Sequence, residues 1–409
     1  MYDKTFYFLK KWLALLLVVS LSTATYSQSE KIDPLESIVL RRSGLDKFDS
    51  QIELLRAYAA FDENKALATA IDANQVALKY SDSSRIVKSY RIIGQLLNRL
   101  ARPKEAEDVL LKAAPLARRI NERNEYKVIL SNLAGAYTIQ AKYDKALEVN
   151  FETLILREQD LDEAEISITL NNIGVVYFKL RNYEKALEFY QRSLLLKRSV
   201  SDHYDLDRLL INIGLCYNQL NKHSESNKYF TEAFIECDGD CSKQILMEGE
   251  FGLGVSRFGL HNYELAKIHF NNSIAIANQI QNNRFQAENL VYLGKVYVKT
   301  GEPLLAIDVF LKAENLAAQF GYNELLIDVY RQLSLVYTQV KNYEKATNFQ
   351  SRYILFKDSI YHASLVENIA KIQTNFAERE NIATIASKDE TIARQRALNI
   401  LIAAVAILA

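Results

Sequence analysis

The chain has 409 residues, 49% of them hydrophobic, which is ample for a core spread over two or three domains or one long repeat array. Only 13 Gly and 4 Pro argue against a loop-rich β protein, and the abundant Ala, Leu, Ile, Lys and Glu favour helix. Fifty acidic residues balance 50 basic ones, so the electrostatic footprint of a nucleic-acid binder is missing and no such partner is expected.

Residues 1–27 have the layout of a secretory signal peptide. Lys4, Lys10 and Lys11 form a basic flank, Trp12 to Leu21 is an apolar run broken only by Ser20, and Ser22 to Ser27 are small or polar. An uncleaved anchor is the alternative, although the run is short for a span of about 20 residues. Cleavage after Ala24 or Ser27 puts the mature chain outside the cytoplasm. A linker is expected over 28–46.

From residue 47 to 366 a 40-residue grid divides the chain into eight units. Ala66, Ala106, Ala146, Ala186, Ala266, Ala306 and Ala346 mark it, with Ser226 as the one interruption. Twelve residues before these alanines, in every unit but the first, stands a second small residue: Gly94, Ala134, Gly174, Gly214, Gly254, Gly294 and Ser334. Three residues further on comes Tyr137, Tyr177, Tyr217, Tyr297 or Tyr337, with Arg257 in the sixth unit. Spacings of three and four put these residues on single faces of two helices, joined in the fourth unit by Arg181-Asn182-Tyr183. The small residues let the two helices approach closely. Self-similarity at this period predicts a solenoid in which each unit buries its apolar face against its neighbours.

This order of small, aromatic, small and aromatic residues resembles the tetratricopeptide repeat (TPR). The resemblance covers all eight units, the first only loosely, since Leu54, Ala57 and Ala70 replace the expected Gly, Tyr and Phe. It implies an all-α, right-handed α-solenoid of about eight TPR-like helix hairpins followed by a long C-terminal helix, with a degenerate first unit serving as a cap. Units longer than the family's usual 34 residues resemble those of kinesin light chain and of cell-polarity adaptors, which grip extended or helical peptides. A protein or peptide ligand in the concave groove is the partner implied.

Asn132, Asn172 and Asn212 occupy one register in three successive units, with Asn171 beside the second. A carboxamide offers two donors and an acceptor, so such a ladder can hold a peptide backbone whatever its sequence. In the longer-repeat proteins, asparagines at this position hold the bound peptide. The competing role is satisfaction of helix ends or neighbouring units. Lys88, Arg91 and Arg99 are candidate charges at one end of the groove, and Phe178 and Phe258 are candidate apolar anchors. Packing or plain surface exposure would account for each of these as well.

Enzyme motifs and metal-ligand spacings are missing, and no cofactor is implied. The five His residues are scattered, and His223 and His261 are expected to be solvated at turns. Gly249-x-x-Gly252-x-Gly254 falls within a helix with no strand before it, so it reads as packing and not as a phosphate loop. Cys237 and Cys241 flank Asp238-Gly239-Asp240, a spacing that a turn can bridge with a disulfide in an oxidising compartment, and Cys216 reads as a small buried residue.

Residues 367–396 keep a sparse apolar periodicity that suits a connecting helix, either a short coiled coil that could pair two copies or a solvated single helix. Residues 397–409 are apolar except for Asn399 and read as the start of a membrane helix or as a core-facing tail. Signal peptide, repeat array, connecting helix and apolar end together resemble the exported sensory half of bacterial membrane signalling proteins with histidine kinase or DNA-binding output. That resemblance implies a periplasmic array anchored in the inner membrane. A stand-alone exported adaptor for envelope complexes is the second reading. Arg394 and Arg396, on what would be the exported side, run against the usual placement of basic residues.

Overall fold

The computed structural model describes residues 32–200 and 202–360. The signal-peptide-like stretch, the end of the eighth unit, the connecting helix at 367–396 and the apolar run at 397–409 lie outside the described residues. Two compact units divide at Leu156 and Arg157, inside one helix. In both, the fold is all-α and built of antiparallel hairpins packed in sequence, as in TPR solenoids.

The first unit contains residues 32–41 (α1), inside the stretch read as a linker, followed by α2 (Gly44–Tyr58), α3 (Glu63–Lys79), α4 (Ser83–Arg99), α5 (Pro103–Arg119), α6 (Arg123–Ile139) and most of α7 (Tyr143–Asp160). After the end of α7, the second unit continues with α8 (Glu163–Lys179), α9 (Tyr183–Ser199), α10 (Leu206–Gln219), α11 (His223–Glu236), α12 (Lys243–Gly259), α13 (Tyr263–Gln279), α14 (Asn283–Thr300), α15 (Pro303–Phe320), α16 (Asn323–Gln339) and α17 (Tyr343–Ile360).

The backbone repeats at half the period of the side chains. Helices begin at 63, 83, 103, 123, 143, 163 and 183, and again at 223, 243, 263, 283, 303, 323 and 343. A left-handed residue stands two places before most of them, at Ser81, Ala101, Asn121, Ala141, Leu161, Arg181, Asn221, His261, Gln281, Gly301, Gly321 and Lys341. After α8 the geometry is explicit. The Arg181 amide donates to the Phe178 carbonyl at 2.9 Å and the Asn182 amide to the Tyr177 carbonyl at 3.0 Å, a Schellman closure of α8. Asn182 then opens α9, its Oδ1 accepting from the Lys185 amide. This turn thus ends one helix and caps the next within three residues, and Asp82, Asp162, Asn262 and Asn282 cap their helices in the same way.

Helices within a hairpin meet through a volume rule linking residues sixteen apart. A Cβ added to Gly174 would lie 2.5 Å from the Tyr190 ring, and Gly94, Gly214, Gly254 and Gly294 face Leu110, Phe230, Phe270 and Phe310 just as tightly. Only glycine leaves room for such rings at this helix separation. The first hairpin inverts the pair, with Leu54 on α2 and Ala70 on α3, both buried. Its sequence is degenerate, but the volumes stay complementary. Gly249 and Gly252 face Phe234 and Phe230, which gives that glycine cluster a packing role.

Where the grid falters, the structure substitutes polar ties. Ser226 replaces the grid alanine and donates to the Gly214 carbonyl at 2.8 Å. Ser256 Oγ lies 3.0 Å from both Ser226 Oγ and Asn218 Oδ1, with one hydroxyl proton to give, while Asn218 Nδ2 donates to the Gly252 carbonyl at 2.9 Å. His223 joins this buried network through Asn218 at 3.2 Å and is half-buried, contrary to a solvated turn histidine, because it packs against Gly259. α10 starts three residues late, and buried Lys197 holds the preceding irregular stretch through Asp202 at 2.7 Å and the Tyr204 carbonyl at 2.6 Å. α11 ends early, and the loop after it is closed by a Cys237–Cys241 disulfide with Cα atoms 5.0 Å apart. Cys216 is buried, and burial pushes its thiol up to about 12.

Candidate binding face

First helices also touch one another: α4 with α6 in the first unit, and α8, α10, α12, α14 and α16 in succession in the second. The backbones of the second helices α9, α11, α13 and α15 stand further apart, α9 meeting α11 through the long side chains of the Arg198–Glu232 ion pair. Closer spacing on one side defines the inner wall of each unit, so half-buried side chains on the first helices are the ones a ligand could reach.

The asparagine register divides on inspection. In the first unit, Asn132 is half-buried and turns its Nδ2 back to the Val128 carbonyl at 3.0 Å, while its own carbonyl accepts from Asn98 at 2.7 Å. Its carboxamide therefore satisfies its own helix. In the second unit Asn212 Nδ2 donates to Asn171 Oδ1 at 3.2 Å, joining α10 to α8 across the inner wall. Asn172 is half-buried beside them.

Of the candidate charges in the first unit, Arg91 pairs with Glu125 at 2.5 Å and Arg99 with Glu63 at 2.5 Å. Both tie neighbouring helices together. Lys88 stands half-buried on α4. In the second unit, Phe178 meets Tyr183 edge-on at 5.3 Å, and Phe258 packs against Tyr263 at 5.7 Å and Tyr292 at 6.3 Å. Both phenylalanines remain half-buried.

Sequence reading passed over several neighbours of Phe258. Phe251 and Tyr292, also on first helices, extend it into an aromatic wall, with ring centroids 5.4 Å apart and Lys295 Nζ 4.6 Å from the Tyr292 centroid. Burial, with the nearby Asp328 and Glu288 charges, pushes the Tyr292 hydroxyl up to about 12. A 40-residue acidic register, Glu248, Glu288 and Asp328, runs beside this wall and was legible in principle. Burial opposes the Asp328 charge, but Lys295 at 2.7 Å holds its carboxyl below the ordinary range. Glu288 pairs with Arg284 at 2.9 Å. Glu248 has only a hydrogen bond from Gln244, and burial raises its pKa in spite of Arg208 and Lys179 nearby.

A cavity of about 290 Å³ opens where α14 and α16 begin, lined by Arg284, Glu288, the turn at Gly321–Asn323, and Glu324. Arg181, in the turn after α8, reaches Glu324 at 3.8 Å. Among the described residues no group of three or more His, Cys, Asp or Glu could hold a metal ion, and no helix is long and apolar enough to cross a membrane.

The tetratricopeptide repeat family model matches residues 165–234, which run from α8 to α11. Solved structures share the fold at low identity. A signal transduction ATPase with numerous domains that carries a tetratricopeptide repeat sensor, from Pyrococcus horikoshii, aligns at 18% identity and a TM-score of 0.57. That alignment covers 68% of this chain but only 44% of the ATPase. A Rap protein complexed with competence and sporulation factor aligns at 14% identity and a TM-score of 0.53, over 82% of this chain and 99% of its own. The Cut9–Hcn1 hetero-tetramer of APC/C gives 15% identity and a TM-score of 0.52, over 78% and 59%. No curated protein matches the chain in sequence.

Proposed function

We propose that this chain is an exported module that binds a peptide or an extended protein segment on the inner wall of its second unit, as the sensory part of a membrane signalling protein. The observation that carries the binding reading is the inter-helix Asn171–Asn212 carboxamide pair, with Asn172 beside it, on the wall where first helices crowd together. Phe178, Phe258, Phe251 and Tyr292 supply apolar surface on the same set of helices. Asn132, Arg91 and Arg99 serve the packing of the first unit. The Rap protein of similar fold was solved with a factor bound, which supports the reading by analogy of fold alone.

Export and anchoring rest on the signal-peptide-like residues 1–27 and the apolar run 397–409, with residues 367–396 as the connecting helix and the homodimer contact. A stand-alone exported adaptor shares the binding chemistry and differs only in output. Peptides selected from a random library against the chain should lose at least tenfold in affinity when Asn171, Asn172 and Asn212 are changed to Ala with helicity intact, roughly the loss of one or two well-made hydrogen bonds. Unchanged capture rejects the site. An alkaline phosphatase fusion after residue 366 should be active, and an inactive, fully expressed fusion rejects export.

A further inference from the structure

The cavity between the starts of α14 and α16 holds an unbalanced charge. Two carboxylates line it, Glu288 and Glu324, against one guanidinium, Arg284. Arg284 is committed to Glu288 at 2.9 Å, and its guanidinium carbon lies 5.9 Å from the centroid of the Tyr322 ring. Glu324 takes its counter-charge from elsewhere. Arg181 belongs to the turn that closes α8, and its guanidinium comes to 3.8 Å from Glu324 without itself lining the cavity. The two are separated by 143 positions in sequence and three intervening hairpins, and both side chains are about two-thirds exposed.

We propose that this cavity is a subsite for a cationic side chain, an arginine or lysine of a bound peptide, and that Arg181 caps it internally until the ligand displaces it. The identity of the ligand as a peptide rests on the binding reading above; the charge preference of the cavity does not. With Arg181 withdrawn, the lining carries one net negative charge beside an aromatic ring, which is the surrounding that favours a guanidinium or ammonium. The intramolecular contact shows that a guanidinium can reach Glu324. Its exposure makes the cap weak and replaceable, because exposed pairs contribute little.

The test uses the full chain and N-acetyl-arginine methylamide as the probe, with the neutral citrulline analogue as control, followed by NMR shifts of the Tyr322 and Asn323 amides. Arg181→Ala should tighten arginine binding by roughly two- to fivefold, the worth of an exposed competing pair. Glu324→Gln should weaken it by about tenfold. Both positions are exposed enough for the variants to fold. Equal binding of the citrulline analogue, no binding of the arginine probe, or an Arg181→Ala variant that binds no better would each overturn the proposal. Peptides that still depend on Asn171, Asn172 and Asn212 in that event leave the binding reading standing. Arginine binding as expected, with those asparagines dispensable, refutes only the latter.

Discussion

Two glycine-to-alanine changes should move stability in opposite directions. At Gly174 the added methyl would sit 2.5 Å from Tyr190 Cδ1 and Cε1, more than 1 Å inside van der Waals contact, and Tyr190 is fully buried with nowhere to turn. Such overpacking costs about 1–3 kcal/mol. Better helix propensity returns about 0.5–1 kcal/mol, so Gly174→Ala should give a net destabilisation of up to about 2.5 kcal/mol. At Gly135 the same methyl meets only Asn98 Nδ2 at 3.6 Å, an ordinary contact. Gly135→Ala should therefore stabilise by about 0.5–1 kcal/mol. Urea unfolding followed by circular dichroism, with hydrogen exchange to locate the affected hairpin, reads both changes. The first hairpin supplies a further check, since Leu54 and Ala70 show that the pair can be inverted. Tyr190→Ala alone should cost about 3–5 kcal/mol, and adding Gly174→Leu should recover a part of it, giving a coupling of about 1–3 kcal/mol. Equal signs at Gly174 and Gly135, or additivity in the cycle, would refute the volume rule.

The remaining predictions concern a histidine, a turn and a thiol. Burial and the neighbouring His261 lower the pKa of His223, so the stabilisation from its neutral ring is complete above the ordinary histidine value of 6.5 and is lost as pH falls through the depressed folded value. Urea midpoints should drop between pH 7 and pH 5 for the parent and less for His223→Asn; parallel drops exclude His223 as the cause. Leu161→Gly should raise the unfolding temperature, because an exposed leucine at φ 56° there gives up left-handed strain of about 1–2 kcal/mol against a smaller entropic loss. A lowered temperature would show that this side chain stabilises the turn. Iodoacetamide should leave Cys216 unmodified in the native chain at pH 8, because its buried thiol is pushed up to about 12, and should label Cys237 and Cys241 only after reduction. Mass spectrometry of the labelled chain distinguishes these outcomes.

The side-chain grid could be read from sequence because close approach of two helices admits only small residues, and glycine and alanine are conspicuous at 40-residue spacing. The 20-residue backbone period could not. Its left-handed position accepts Ser, Ala, Asn, Leu, Arg, His, Gln, Lys and Gly in turn, so it has no compositional signature. Its cost is met by the hydrogen bonds that end one helix and cap the next, as Asn182 does. The first hairpin shows the converse error, in which a pattern that looks lost, Leu54 with Ala70, is the same volume rule with its two terms exchanged.

The candidate face was less legible because register identity does not fix side-chain direction. Asn132 and Asn212 are equivalent by position, but one carboxamide turns back to its own helix and the other crosses to α8. What separates them is the partner available. α8 offers Asn171 to Asn212, whereas α4 uses Asn98 to engage the Asn132 carbonyl directly. Asn98 and Asn218 perform one task, each donating to a carbonyl 34 residues ahead on the next first helix, although they stand 120 positions apart. Arg181 and Glu324 lie further beyond the reach of sequence, since their contact depends on how the three hairpins between them curve. The glycines and the large residues sixteen places on are locked together by packing, whereas Arg181 and Glu324 are exposed, where substitutions cost the hairpins little.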